Sequence, residues 1–78
     1  MAATSRDALF HLRFIQDLAH FIANDRKLAL RLLDLVQAIL RDPFVGLGKP
    51  EPLKRLGADI WSRRLTDEHR IVYLVKHD

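Results

Sequence analysis

The apolar positions along the chain fall into two regimes. Ile15, Leu18, Ala19 and Ile22 recur at i, i+3, i+4 and i+7. That spacing predicts a helix from about His11 to Ala23 with this stripe turned inward. Leu28, Leu32, Leu35, Val36, Ile39 and Leu40 continue the same period and predict a second helix over about 25–41. Asn24 is the expected N-cap of that second helix, because its side-chain oxygen can accept an orphan amide of the first turn. Asp42-Pro43 should end it, since a residue before proline is driven out of the α region. The period then changes to two. Ile60-Trp61-Ser62-Arg63-Arg64-Leu65 and His69-Arg70-Ile71-Val72-Tyr73-Leu74-Val75 alternate and are rich in β-branched and aromatic residues, so both read as strands. Thr66-Asp67-Glu68 is short enough to join them as a hairpin. Ala8-Leu9-Phe10 is a further expected short strand.

These elements predict one α+β domain over 1–78, a helix hairpin packed on a small antiparallel β-sheet. Residues 1–7 read as a loose leader, 8–41 as the short strand and two helices, 42–59 as a loop and 60–78 as the β-hairpin. All three prolines and all three glycines fall in 42–59, the composition of an ordered loop. A 78-residue chain buries only roughly 60% of its unfolded surface. There is no cysteine, which removes disulfides, thiolate chemistry and cysteine-ligated metals. No apolar run approaches the roughly 20 residues of a membrane span, and no secretory signal is seen, so a cytoplasmic protein without a membrane partner is expected. A formal charge of +3 is compatible with an anionic partner.

The candidate chemistry lies in the second half. Glu51 sits between Pro50 and Pro52, with Lys49 and Lys54 on either side. Prolines fix φ, so this carboxylate is held on a stiff backbone, as a general base should be. The plainer role is an exposed loop acid paired to a lysine. Lys54, Arg63, Arg64 and Arg70 could line an anion site, because arginine offers a fork of donors that matches phosphate. Against this stands a solvated basic face balanced by Asp59, Asp67 and Glu68. Arg70 alternates with Val72 and Leu74 on a mostly apolar face, where a charge is usually paired or functional. His69 and His77 are candidate acids by residue type, but both read as surface histidines. His11 and His20 have no metal-ligand spacing, and no metal or cofactor is assigned. Trp61 and Tyr73 could stack on bases, although core packing is the simpler role for Trp61.

Asp42-Pro43-Phe44, Gly46-x-Gly48-Lys49-Pro50-Glu51-Pro52-Leu53-Lys54, Trp61-Ser62-Arg63-Arg64 and Glu68-His69-Arg70-Ile71-Val72-Tyr73 together resemble the YoeB/Txe family, the RelE-like endoribonucleases of bacterial toxin–antitoxin modules. The resemblance implies a metal-independent nuclease that cuts mRNA on the ribosome and inhibits translation. It implies Glu51 as the base and Arg70 as the phosphate-stabilising residue, with Lys54 and Arg64 at positions that contact the RNA; Lys49 and Arg63 are further expected substrate contacts. It also implies a YefM-like antitoxin partner and a homodimer. The family continues through a further strand that carries a general-acid histidine, and the present sequence stops roughly ten residues earlier. The alternative is therefore a catalytically impaired relic that binds antitoxin or RNA.

Overall fold

The computed structural model describes residues 6–76. Most of the expected leader, and His77, lie outside the described residues. Helix α1 spans Leu12–Asn24 and helix α2 spans Arg26–Arg41. His11 caps α1, its Nδ1 accepting from the Arg13 amide at 3.0 Å. Asp25 alone connects the helices and serves both. Its backbone N–H donates to Phe21 O at 2.6 Å, and its carboxylate accepts from Leu28 N at 3.1 Å.

The expected cap on Asn24 is therefore corrected by one residue. Asn24 is the last residue of α1, and its Nδ2 donates back to His20 O at 2.9 Å. Asp25 has the non-helical backbone a cap needs, with φ −153°, and its negative charge suits the positive end of a helix. Asp42 closes α2, its N–H donating to Ala38 O at 3.0 Å, directly before Pro43.

The inward face of α2 is as the period implies: Leu32 and Leu35 are buried, with Leu28 beside them. The inward face of α1 is not. Phe14, Leu18 and Phe21 pack on the core, whereas Ile15 and Ile22 are 46% and 58% exposed. Phe14, Leu18 and Phe21 also follow helical spacing, so α1 carries two overlapping apolar stripes. The stripe with two phenylalanines wins because each ring removes more area from water than an isoleucine. The expected strand at 8–10 is absent. Leu9 is fully exposed, and Phe10 finds its apolar partner one turn away, stacking on Phe14 at 5.1 Å. Phe10 thus needs no sheet partner, and Leu9 stays in solvent.

Three antiparallel strands form the sheet: β1 (Glu51–Pro52), β2 (Ile60–Arg64) and β3 (Arg70–Leu74), in spatial order β1-β2-β3. Two-residue β1 lies inside the proline–glycine loop. Its proline is tolerated because β1 is an edge strand with one side unpaired. Glu51 pairs with Ser62 and Pro52 with Trp61. On the other side of β2, Arg64 pairs with Arg70, Ser62 with Val72 and Trp61 with Tyr73. Thr66 shapes the hairpin, its Oγ1 accepting from Glu68 N at 3.2 Å and His69 N at 3.0 Å. The buried Leu65, just past β2, joins Leu32 and Leu35 in the core and fastens sheet to helices.

The face carrying Arg70, Val72 and Leu74 is the open one, although two of these three residues are apolar. Val72 and Leu74 are 55% and 58% exposed, while Ile71 and Tyr73 between them are half-buried. The helices cover one face of the sheet, and alternation alone cannot say which.

Candidate functional site

Gly48 (φ 84°) and Lys49 (φ 53°) are consecutive residues in the left-handed region. Together they turn the chain out of the 42–48 loop so that Glu51 comes to lie against β2. The turn is tied down where Gly48 O accepts from Arg64 N at 2.7 Å. Glycine tolerates the first of these conformations freely; lysine at the second costs roughly 1–2 kcal/mol. The strained residue is thus two positions from the carboxylate it aims.

On the open face the two registers converge. Ser62 is the cross-strand neighbour of both Glu51 and Val72, so β2 lies between the carboxylate and β3. The Arg70 side chain crosses this gap. Its Nε donates to Ser62 Oγ at 3.1 Å and its Nη2 to Glu51 Oε1 at 2.6 Å. The side chains of Arg70 and Glu51 keep 38% and 57% of their exposure. The pair is therefore reachable from solvent, and a pairing this open contributes about 0.2–1 kcal/mol to stability. Ser62 beneath it is fully buried. An ionised acid beside an arginine with spare donors can take a proton and hold an oxyanion at one place.

The other expected residues divide. Arg64 is exposed and lies directly across the hairpin from Arg70, on the same face as Glu51. Lys49 and Lys54 are exposed on either side of Glu51 in the chain. Arg63 does not join them. It points through the opposite face and is 0% exposed. Its Nε donates to Tyr73 Oη at 3.1 Å, its Nη1 to Leu47 O at 3.0 Å and its Nη2 to Val45 O at 3.2 Å and to Asp42 O. With its donors on loop carbonyls and a phenol, Arg63 holds the 42–48 loop to β2. The expected RNA contact for Arg63 is corrected on that ground: no part of it reaches solvent. Tyr73 completes the same network by donating to Pro43 O at 2.6 Å, and Trp61 packs its ring 5.0 Å from Phe44. Both aromatic residues are half-buried.

Two residues escaped the sequence reading. Ser62 carries no motif chemistry of its own, and only strand register reveals it. Arg31, on α2, donates from Nε to Leu65 O at 2.7 Å and so anchors the end of β2 that carries Arg64. It lies off the apolar stripe of Leu28, Leu32 and Leu35, and helical spacing gives no sign of a contact with the end of a strand. His69, expected on the surface, is exposed, with its ring 6.5 Å from Phe21. Among the described residues no group of three or more His, Cys, Asp or Glu side chains could hold a metal ion. Among them, too, no helix is long and apolar enough to cross a membrane.

Comparison with known proteins places this arrangement in a family. The model of the YoeB-like toxin of bacterial type II toxin–antitoxin systems matches residues 10–78. The toxin YoeB of Synechocystis sp. is 52% identical over 59 residues, which cover 76% of this chain and 69% of that protein. The toxin RelK of Mycobacterium tuberculosis is 49% identical over 63 residues, covering 81% and 74%. Two solved structures share the fold. The YoeB/ParE toxin from Agrobacterium tumefaciens superposes with TM-score 0.74 at 44% identity over 81% of this chain and 73% of that one. YoeB in a heterotetrameric complex with YefM from Staphylococcus aureus gives 0.79 at 36% identity over 90% and 82%. The chain belongs to the YoeB-like toxins of bacterial type II toxin–antitoxin systems.

Proposed function

We propose that this toxin is a metal-independent endoribonuclease that cuts messenger RNA on the ribosome in the cytoplasm and so inhibits translation. The observation that carries the reading is the solvent-reachable Glu51–Arg70 pair, with a 2.6 Å contact between carboxylate and guanidinium. RNA supplies its own nucleophile, the ribose 2′-hydroxyl. Glu51 accepts that proton as the 2′ oxygen attacks the adjacent phosphorus. Negative charge builds on the phosphoryl oxygens, and Arg70 stabilises it. The bond to the 5′ oxygen then breaks, leaving a 2′,3′-cyclic phosphate. The departing 5′ oxygen needs a proton from a donor other than these two residues. Because the exposed ion pair is weak, a phosphodiester can draw Arg70 from Glu51 at little cost, which frees the base as the substrate arrives. Lys49, Lys54 and Arg64 are placed to attract the flanking phosphates.

Partners are proposed from the relatives. YoeB from S. aureus has been solved both with YefM and as a dimer. A YefM-like antitoxin is therefore the expected inhibitor here, and a homodimer the expected free form.

The test maps cuts in a ribosome-bound message. Glu51→Gln should slow cleavage by about 10²–10⁴-fold, the usual contribution of a positioned base. Arg70→Ala should cost about 10²–10³-fold, as loss of one oxyanion donor does. Cuts unchanged in both variants would refute the assignment. Message binding without cuts in the wild type would instead make the chain a binding module.

A further inference from the structure

Arg70 has two hydrogen-bonding edges. Nε and Nη2 share the side edge, and Nη1 and Nη2 share the end edge. The side edge is fully divided, Nε donating to Ser62 Oγ at 3.1 Å and Nη2 to Glu51 Oε1 at 2.6 Å. Nη1 has no hydrogen-bond partner among the described residues. Of the two side-edge acceptors, Glu51 is the one whose charge changes in the ribonuclease reading, because it takes the 2′-hydroxyl proton and its hold on Nη2 then weakens. Ser62 need not move. It lies on the central strand, fully buried, and bridges the registers of Glu51 and β3.

We propose that Ser62 is a positioning residue, the fixed point that holds the Arg70 guanidinium by Nε while its end edge turns to the phosphate. An arginine is a long chain with several rotatable bonds, and one end-on contact with phosphate leaves its plane undefined. A buried acceptor at Nε sets that plane before substrate arrives. Two end-edge donors can then meet two phosphoryl oxygens in the forked geometry that arginine matches. Misplacing a catalytic group by about 1 Å can cost 10²-fold in rate, so this acceptor has leverage on chemistry without touching substrate. The serine is small enough to leave room for Arg70 to cross over it, and its hydroxyl is the feature that alanine would remove. This inference rests on the ribonuclease reading.

Two measurements separate the inference from that reading. In single-turnover cleavage of a ribosome-bound message, Ser62→Ala should lower the rate by about 10–100-fold with little change in the toxin concentration giving half-maximal rate. Ser62→Thr, which keeps the hydroxyl, should restore most of it. In an Arg70→Ala background, Ser62→Ala should have no further effect, because the serine acts through that side chain. In parallel, the Arg70 Nε–H signal in ¹⁵N NMR of the free toxin should shift and exchange faster in Ser62→Ala. Full activity of Ser62→Ala overturns the inference, as does an equal loss with and without Arg70. If the wild type does not cleave, the ribonuclease reading fails. The NMR signal then decides alone: a change upholds Ser62 as the residue that orients Arg70, and an unchanged signal overturns it.

Discussion

Replacing Arg63 by alanine should be among the most damaging single changes in this protein. The side chain is wholly buried, and its guanidinium donates to four oxygens: Tyr73 Oη, Leu47 O, Val45 O and Asp42 O. All four acceptors are neutral, so the charge has been taken out of water without a counter-ion in contact. Hydrogen bonds to a charged group contribute about 1.5–3 kcal/mol each, and the desolvation of the charge offsets several kcal/mol of their sum. Truncation removes both terms, yet it leaves a cavity and a set of oxygens that only partly regain water. The net loss should be about 3–5 kcal/mol, from carbonyl oxygens left short of donors at about 1–3 kcal/mol each and from the cavity, less the desolvation that truncation relieves. A small domain has little more than about 5 kcal/mol to lose.

Urea unfolding measures it, with the single Trp61 as reporter against Phe44. With a slope of about 1 kcal/mol per molar, the midpoint should fall by about 3 M or more. Hydrogen exchange should find the weakened place at the Arg64 amide, which is bonded to Gly48 O across the freed loop. Arg64→Ala, one residue on and exposed, is the control and should stay within about 0.5 kcal/mol. A midpoint shift for Arg63→Ala below about 1 M, at unchanged slope, would refute the reasoning. It would mean that desolvation of the buried charge cancels the hydrogen bonds.

Two further stability tests follow from the turns. Gly48 has φ +84°, and a Cβ there would lie 2.7 Å from Leu35 Cδ2 and 3.0 Å from Arg64 O. Gly48→Ala should therefore cost about 2–4 kcal/mol through backbone strain and overpacking, which calorimetry would read as a Tm lowered by about 10 °C or more; a fall under about 3 °C would show that the turn relaxes freely. Asp25→Ala removes the α2 cap and should cost about 1 kcal/mol, whereas Asn24→Ala, at the end of α1, should cost less than half of that. The two variants compared by thermal unfolding decide it, and the reverse order would return the cap to Asn24.

Much of the candidate site could be read before the fold. Proline on both sides of Glu51, and cations around it, set that acid apart from an ordinary loop residue. Arg70 stood out as a charge within a β pattern. What could not be read was that the two touch. They are 19 residues apart, and their contact depends on two registers at once, β1 on β2 and β2 on β3. Nothing in the residues 42–59 predicts that Glu51 and Pro52 form a strand, because proline argues against one. Ser62 drew no notice for a related reason. A serine gains its role here from being buried beneath an arginine that arrives from the next strand.

The amino-acid sequence by itself determined the period of each segment, the stop at Asp42-Pro43, the α+β class and the kinds of chemistry available. These are local properties, set by backbone sterics and by the spacing of apolar side chains. Tertiary structure alone decided which face of each element turns inward. In α1 it chose Phe14, Leu18 and Phe21 over Ile15 and Ile22. In β2 it buried Arg63 and left Arg64 in solvent, though the two are adjacent and chemically identical. A strand's alternation defines two faces without naming the inner one. That choice belongs to whatever packs against the sheet, here Leu65 meeting Leu32 and Leu35, and it separates the arginine that holds the loop from those that face solvent.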